Sequence, residues 1–575
     1  MTKIALRLTV ALLNLPLLTS TVMQAATPER IEQATDAPVK NVPGKYLIDP
    51  QRLSDITRTL SSDEFEGRAP GTPGETKTIA YLVEQFKTVG LEPAGPDGSY
   101  VQVVPLVRTQ VPADASMSVT VASTRRVLVQ QQDMAALALR PVDRVRIENA
   151  PLVFVGYGVS APERGWDDYK DVDLRGKVAV YLVNDPDFEA IPGEDAYGKF
   201  GGKAATYYAR WTYKYEEAAR RGAIAALIVH ETEAAAYGWN TAIAPNGEGY
   251  DIVRADPAKE KLLLQSWLHR DAAVEILRGA GLDFEVLKKS ARSKAFQPIE
   301  LRDSTFAADF PLAHARIDSH NVIGRITGGR YPNESIMVGG HWDAYGSGEP
   351  DANGLRFRAG ALDDAIGMAG AIEIARAFKQ GPRPDRTIVF SAWTAEERGL
   401  LGSEYYADHP WLPLETTVAN FTMDVLQPNG LARDIVLVGA GQNELDSLLT
   451  QEAAGQGRVV TPDARPERGL AFRADHFPFA RRGVPTLLLM GIGGGHDLVN
   501  GGREAGDRWV AEFTAKCYHQ ACDRWSATWD LSGAAQDATL VYQMAGQLAY
   551  SRAWPQWNPG TEFKAVRDTS AAQRR

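Results

Sequence analysis

The stretch that decides the fold is IMVGGHWD, residues 336–343. In it an apolar strand runs into two glycines, a histidine and an aspartate. Strand-like and helical patterns alternate after this stretch. They lie at 366–378, 387–393, 417–423, 435–438 and 486–490. Alternating strands and helices predict an α/β sheet covered by helices, in which ligands bind beyond the carboxyl ends of the strands.

Residues with side chains that bind metals follow these strands. His341 ends the first strand and Asp343 lies two residues further on. Glu396 and Glu397 follow the strand at 387–393, and Asp424 ends the one at 417–423. A carboxylate at the end of an apolar strand is costly unless it has a partner. Because the carboxyl ends of such strands share one sheet edge, we expect these side chains to converge.

Two further motifs complete the set. Asp363 and Asp364 enter the helical pattern at 366–378, and His519 lies between the only two cysteines. Taken singly, the motifs have ordinary explanations, such as acids at a helix N-terminus or a capping box. Together, two histidines and several carboxylates suit zinc. One carboxylate shared by two ions would hold them about 3.5–4 Å apart.

The order of these motifs resembles the di-zinc exopeptidase family, which includes bacterial aminopeptidases and glutamate carboxypeptidase II, with glutaminyl cyclase as a relative. The motif-bearing part covers roughly 318–535, and the loop at 66–74 with its following helix resembles the start of the same catalytic domain. The resemblance implies a three-layer α/β/α domain with a mixed sheet. It also implies peptide substrates and two zinc ions per chain, although ligands of this kind accept other divalent metals.

The resemblance also implies a role for each matching residue. His341 and Asp424 would bind one zinc ion, Glu397 and His519 the other, and Asp363 would bridge them. Glu396 would be the general base, Asp343 would support His341, and Tyr518 would stabilise the oxyanion. The remaining candidates are three residues for the substrate pocket and a disulfide between the cysteines, for which two unpaired thiols remain the alternative. They are His496, Arg473, Arg210, Cys517 and Cys522.

The sequence pattern changes between 146 and 299, where short apolar runs end in turns, and this change indicates an inserted module. It resembles a protease-associated domain. The predicted boundaries are a signal peptide at 1–26, a linker at 27–47, a discontinuous catalytic domain at 48–145 and 300–560, the insert at 146–299 and a tail at 561–575. An aromatic and basic run at 207–214 is either a lid over the cleft or an internal packing seam.

The N-terminus and the composition indicate the compartment of the protein and the kinds of partner it has. Lys3 and Arg7 precede a short apolar run and small residues up to Ala26, which is the layout of a secretory signal peptide. We therefore expect a periplasmic or secreted protein, with no membrane span in the mature chain. With 62 basic and 72 acidic residues the chain has a net charge of −10 and no basic run, which argues against nucleic-acid binding.

The predicted function is that of an exported zinc aminopeptidase that removes N-terminal residues from peptides. A carboxypeptidase of the same fold is the nearest alternative, since a terminal carboxylate could be received by Arg210, Arg356, Arg358 or Arg473. A non-catalytic receptor-like protein and a one-zinc glutaminyl cyclase are the others. The sequence leaves the preferred residue and the oligomeric state open.

Overall fold

A computed structural model of the chain describes residues 48–574. The predicted signal peptide at 1–26 and linker at 27–47 lie outside the described residues. Among the described helices, none combines the length and hydropathy that crossing a bilayer requires.

The central element is a mixed sheet, called the first sheet below. Its strands, in spatial order, are Glu248–Ile252, Val101–Gln110, Ala313–Ile326, Arg386–Trp393, Tyr331–His341, Thr417–Asp424 and Thr486–Met490. The short strand Glu92–Pro93 pairs with Ala313–Ile326. The last four strands in this order run parallel, and the others are antiparallel. The carboxyl ends of the four parallel strands therefore meet at one edge, as in other α/β sheets.

Helices lie on both faces of the first sheet. Those on one face are Pro50–Leu60, Pro73–Val89, Ile366–Gln380 and Ser532–Ala549. On the other face, Leu401–Asp408 and Phe477–Arg481 pack over a smaller apolar cluster. Ile336 and Val338 point to the first face and Met337 to the second, as the alternation of side chains along a strand requires. The predicted α/β fold with a mixed sheet is confirmed.

A second sheet has its own core. Its strands, in spatial order, are Thr124–Leu128, Ser116–Val121, Ile299–Pro311, Arg144–Phe154, Val178–Leu182, Ala225–His230, Leu264–His269 and Met134–Leu137. Helices of this part include Trp211–Arg220, Arg270–Gly279 and Phe284–Ser290. Together they bury two clusters of apolar side chains.

The second sheet is wider than the predicted insert at 146–299. It takes in three strands before residue 146, and Ile299–Pro311 continues beyond residue 299. Conversely, Glu248–Ile252, from within the predicted insert, adds to the edge of the first sheet. The strand-rich character of the segment is as predicted, and its assignment as a protease-associated domain stays a prediction.

The two sheets are joined through the aromatic run at 207–214. The Tyr207 ring lies 5.3 Å from that of Phe477 and 6.1 Å from that of Phe563, both from the last third of the chain. Glu216 accepts hydrogen bonds from Arg481 at 3.0 and 3.2 Å. The run is therefore a packing seam between the two parts of the molecule at Tyr207.

The segment 561–574, predicted as a tail, is folded. It contains the helix Lys564–Thr569, and the buried Arg567 donates a hydrogen bond to the carbonyl of Thr417 at 2.9 Å. Glu562 forms an ion pair with Arg164 at 2.8 Å. Local sequence patterns could not predict these contacts, because the partner residues lie far away in the sequence.

A buried lysine ties the second core together, and we predict that its loss destabilises the fold. Lys214 donates to the carbonyls of Tyr157, Asn184 and Tyr208 at 2.6–3.2 Å, and burial lowers its pKa to about 8. Lys214→Ala leaves buried acceptors unsatisfied, which should cost about 3 kcal/mol. Chemical denaturation followed by tryptophan fluorescence measures this loss.

The matched control is Lys203→Ala, whose side chain is 60% exposed. Its effect should stay within about 0.5 kcal/mol. Equal unfolding midpoints for the two variants would contradict the role given to Lys214.

Candidate metal centre

The parallel strands of the first sheet bring the predicted ligands to one edge. His341 is the last residue of Tyr331–His341, and Asp424 is the last residue of the neighbouring Thr417–Asp424. Glu396 and Glu397 follow Arg386–Trp393 on the other side. All four side chains are almost completely buried.

The loop before the helix Ile366–Gln380 places Asp363. Asp523 accepts hydrogen bonds from the N–H groups of Leu362 and Asp363, at 2.9 and 3.1 Å. The neighbouring Asp364 is wedged between two glycines, since a Cβ on Gly340 or on Gly367 would lie 2.3 Å from its carboxylate. This close approach is the physical reason for the glycines around the motif.

Two three-residue groups share Asp363. The first is His341, Asp363 and Asp424, and the second is Asp363, Glu397 and His519. His341 Nε2 lies 3.2 Å from Asp363 Oδ1 and 4.0 Å from Asp424 Oδ1. His519 Nε2 lies 3.3 Å from Asp363 Oδ2 and 3.4 Å from Glu397 Oε2. Each oxygen of Asp363 thus faces a different histidine, which is the arrangement of a bridging carboxylate.

The donor atoms fit divalent cations. His341 Nε2, Asp363 Oδ2 and Asp424 Oδ1 are buried, and none has a hydrogen-bond partner among the described residues. Burial raises the pKa of Glu397 well above its ordinary value, and repulsion by Asp363 adds to this. Buried carboxylates at this density need compensating positive charge. Imidazole and carboxylate are the ligand types of zinc sites.

Glu396 lies beside the first group without being a member of either. Its Oε2 is 3.9 Å from His341 Nε2. Its main-chain N–H donates to Asp343 Oδ1 at 3.0 Å, which fixes the backbone at this position. Burial raises the pKa of the Glu396 carboxyl, against the opposing effect of His341. The carboxylate therefore lies beside the donor atoms of the first group, where it could exchange a proton.

Asp343 supports His341 mainly through its main chain. His341 Nδ1 lies 3.0 Å from the carbonyl oxygen of Asp343, whereas the carboxylate Oδ1 is 3.7 Å away. The same Oδ1 also accepts a hydrogen bond from the Glu396 N–H. A carbonyl partner fixes the tautomer and leaves Nε2 free for a metal.

His519 is held by a short loop and by a tyrosine. A disulfide between Cys517 and Cys522 closes the loop, and His519 has a left-handed backbone with φ of +63°. The Tyr345 hydroxyl lies 3.0 Å from His519 Nδ1, with the rings 4.7 Å apart. Tyr518 packs on the same ring and interacts electrostatically with Asp363 and Glu397.

A fully buried arginine fixes the loops that carry the ligands. Arg68 donates to the main-chain carbonyls of Leu60, Trp342, Ala359 and Gly360 at 2.6–2.9 Å. Two of these, Ala359 and Gly360, precede Asp363, and Trp342 follows His341. The Glu66–Gly74 loop therefore contributes to the centre without contributing a ligand.

The predicted pocket residues divide into two sets. Arg210 and Arg473 both interact electrostatically with Glu396. His496 does not belong with them: the charged groups that face it are Asp434, Asp537, Arg458 and Arg503. It is buried among these groups, and its place in the substrate pocket is therefore not supported. Another buried histidine, His476, hydrogen-bonds the Ala471 carbonyl at 2.8 Å through its Nε2.

Three supporting positions had no sequence-based assignment: Arg68, Tyr345 and Asp523. Arg68 stands inside the turn-rich loop that resembles the start of the family domain, and Tyr345 and Asp523 lie within four residues of a predicted ligand or its neighbour. Proximity was the only signal available. Their partners are known only from the folded chain.

Three kinds of known protein are similar to this chain. Residues 321–543 match the model of peptidase family M28. A glutamate carboxypeptidase 2 homolog of Caenorhabditis elegans is 31% identical over 189 residues, which are 31% of this chain and 22% of that protein. Carboxypeptidase Q of Bos taurus is 24% identical over 363 residues, which are 62% of this chain and 65% of that protein. Leupeptin-inactivating enzyme 1 of Streptomyces exfoliatus is 28% identical over 209 residues, which are 36% of this chain and 43% of that protein.

The chain thus spans less than two thirds of the length of each of these curated relatives. Among solved structures, an aminopeptidase from Aneurinibacillus sp. strain AM-1 aligns with 88% of this chain and 93% of its own, at 19% identity and a TM-score of 0.46. The matched residues 321–543 carry the whole predicted ligand set.

We predict that the Tyr345 hydroxyl raises metal affinity. Tyr345→Phe removes the partner of His519 Nδ1 and should weaken one of two Zn²⁺ sites about 10-fold or more, because outer partners orient a metal-binding histidine. Calorimetric titration of the metal-free protein with Zn²⁺ measures both sites. Tyr405→Phe, whose ring stacks on His409 instead, is the control. Identical Zn²⁺ isotherms for the two variants would count against this role.

Proposed function

We propose that the chain is a metal-dependent exopeptidase that hydrolyses peptides, with two zinc ions held by the two groups that share Asp363. The observation that carries the proposal is the pair of donor sets on either side of one buried carboxylate, with Glu396 beside them. When bound, two such cations lower the pKa of water and polarise a carbonyl group. The chain would then require no nucleophilic side chain of its own.

The chain's own residues supply proton transfer and orientation. Glu396 would take a proton from the attacking water and deliver it to the leaving nitrogen, so that one carboxylate serves as base and then as acid. Tyr518, which packs against His519, would donate its hydroxyl to the developing oxyanion. Tyr345 and the Asp343 carbonyl would keep the two imidazoles in place.

Within this class we propose an aminopeptidase. Its support is an acceptor for a free amine: Asp475 is buried and accepts a hydrogen bond from Ser403, while its Oδ2 has no partner among the described residues. It also interacts electrostatically with Glu396 and Asp424.

A carboxypeptidase is the second candidate, because Arg210 and Arg473 lie near Glu396 and two of the curated relatives bear carboxypeptidase names. Export to the periplasm or beyond is proposed from residues 1–26 alone.

The role of Glu396 predicts a separation of turnover from metal binding. Glu396→Gln keeps the shape of the side chain and should lower kcat about 1,000-fold, since general acid–base catalysis contributes roughly 10²–10⁴-fold. Zinc content, measured by elemental analysis, should remain at two ions per chain. If the variant lost a zinc ion, Glu396 would have to be a metal ligand. Unchanged turnover would exclude Glu396 as the general base.

The direction of cleavage follows from paired substrates. We expect a tripeptide with a free amine to be hydrolysed and its N-acetyl derivative to be inert, because the amine must reach Asp475. Product analysis by mass spectrometry identifies the residue released. Cleavage of the N-acetyl peptide from its C-terminal end would replace the aminopeptidase with the carboxypeptidase. Hydrolysis of neither peptide by the zinc-loaded chain would favour a receptor-like protein.

A further inference from the structure

Arg398 is enclosed by two tyrosine rings next to the candidate metal centre. It directly follows Glu397 in the chain, and its guanidinium carbon lies 5.0 Å from the centre of the Tyr250 ring and 5.0 Å from that of Tyr345. The side chain is 18% exposed, and its Nε has no hydrogen-bond partner among the described residues. A cation within about 6 Å of an aromatic ring is attracted by the electrons of that ring. The two rings therefore hold the guanidinium group in place.

The carboxylate beside Arg398 adds little to this hold. Glu248 Oε1 lies 3.7 Å from Arg398 Nη1, which is too far for a hydrogen bond. The other oxygen of Glu248 accepts a hydrogen bond from Arg108 at 2.8 Å. An ion pair that is partly exposed and lacks a hydrogen bond contributes little to a fixed geometry. The contacts with the two rings are therefore the ones that determine where Arg398 lies.

The two rings belong to different regions of the chain. Tyr250 lies in the strand Glu248–Ile252, which comes from the predicted insert and pairs at the edge of the first sheet. Tyr345 lies in the loop that follows the first ligand strand, and its hydroxyl is 3.0 Å from His519 Nδ1. Arg398 thus connects the edge strand with the tyrosine that contacts a candidate metal ligand.

The main chain next to Tyr345 is fixed, but its ring needs a contact of its own. The N–H group of Gly346 donates to the carbonyl of Gly67 at 2.9 Å, which leaves the side-chain torsions of Tyr345 free. The ring lies 4.7 Å from that of His519 and 5.0 Å from the guanidinium carbon of Arg398. Because the position of the hydroxyl depends on the direction of the ring, a contact that fixes the ring also fixes the hydrogen bond to the imidazole.

We propose that Arg398 is a positioning residue for the metal centre. Stacked on Tyr250, it fixes the ring of Tyr345, and the Tyr345 hydroxyl in turn orients His519 for metal binding. The inference rests on the proposed function and specifies how one of its two metal sites is held. It also gives the predicted insert a part in the centre through the strand Glu248–Ile252, although none of the predicted ligands lies in the insert.

Zinc affinity tests this series of contacts. Asp424→Ala removes a ligand from the first group only, so that the intact Zn²⁺ site is the one that contains His519. In this background, calorimetric titration should show that Arg398→Leu weakens Zn²⁺ binding about 5-fold, the factor expected for the loss of a cation–ring contact. Tyr250→Leu should weaken it about 3-fold, whereas Tyr250→Phe keeps the ring and should stay within about 2-fold. Unchanged affinity in both leucine variants would overturn the proposal.

A double-mutant cycle shows whether Arg398 acts through Tyr345 or through its neighbour Glu397. When Tyr345→Phe has already removed the hydroxyl, Arg398→Leu should cost less than about a further 2-fold in Zn²⁺ affinity, since both changes act on the same contact. The full loss of about 5-fold in that background would mean that Arg398 acts on Glu397 directly, which would contradict the proposal.

The matched control is Arg221→Leu. It removes a guanidinium group that lies 3.7 Å from the Tyr169 ring in the second core, and it should leave the Zn²⁺ affinity unchanged. A loss equal to that of Arg398→Leu would show that any such change weakens zinc binding, and the proposal would fail.

Crystal structures of the metal-free chain separate this inference from the proposed function. The Tyr345 hydroxyl should contact His519 Nδ1 in the unmodified chain and lie beyond about 3.5 Å from it in Arg398→Leu. If the hydroxyl moves in this way but the unmodified chain binds no Zn²⁺, the role of Arg398 stands and the metal centre fails. If the chain binds two Zn²⁺ ions and the hydroxyl keeps its place in Arg398→Leu, the centre stands and the role of Arg398 fails.

Discussion

The structure depends on the burial of several carboxylates around two histidines. The carboxylates of Asp363, Glu397 and Asp424 are buried away from water. Their oxygens lie close to one another and to the histidine nitrogens. Such an arrangement is stable only with positive charge between the oxygens, because buried anions without partners are expensive. The parallel strands bring the ligands to one edge, and the surrounding loops then keep them in register with each other.

The loops that hold the centre are themselves held by charge buried further from it. Arg68 satisfies four main-chain carbonyls at once, and Asp523 satisfies the N–H groups of Leu362 and Asp363. These contacts determine where Asp363 points, and hence whether its two oxygens can face different histidines. The centre is thus built in two layers, the inner one of ligands and the outer one of backbone clamps.

Sequence patterns predicted which side chains converge at the sheet edge but not the residues that support them, for a physical reason. A strand followed by a histidine or carboxylate is local, and the parallel rule converts it into convergence, so His341 and Asp424 could be assigned. Arg68 meets Gly360 across 292 residues, and no local pattern records that contact. The width of the second sheet was missed likewise, because Ser116–Val121 pairs with Ile299–Pro311. His496 was assigned to the pocket from its glycine-rich loop, but the charged groups that face its ring are Asp434, Asp537, Arg458 and Arg503.

The most direct measurement is the electron paramagnetic resonance spectrum of the chain loaded with two equivalents of Mn²⁺. If Asp363 bridges two cations, the spectrum should show an exchange-coupled pair, and Asp363→Ala should abolish the coupling. Two isolated Mn²⁺ signals in the unmodified chain, or a coupled pair that persists in Asp363→Ala, would contradict the account.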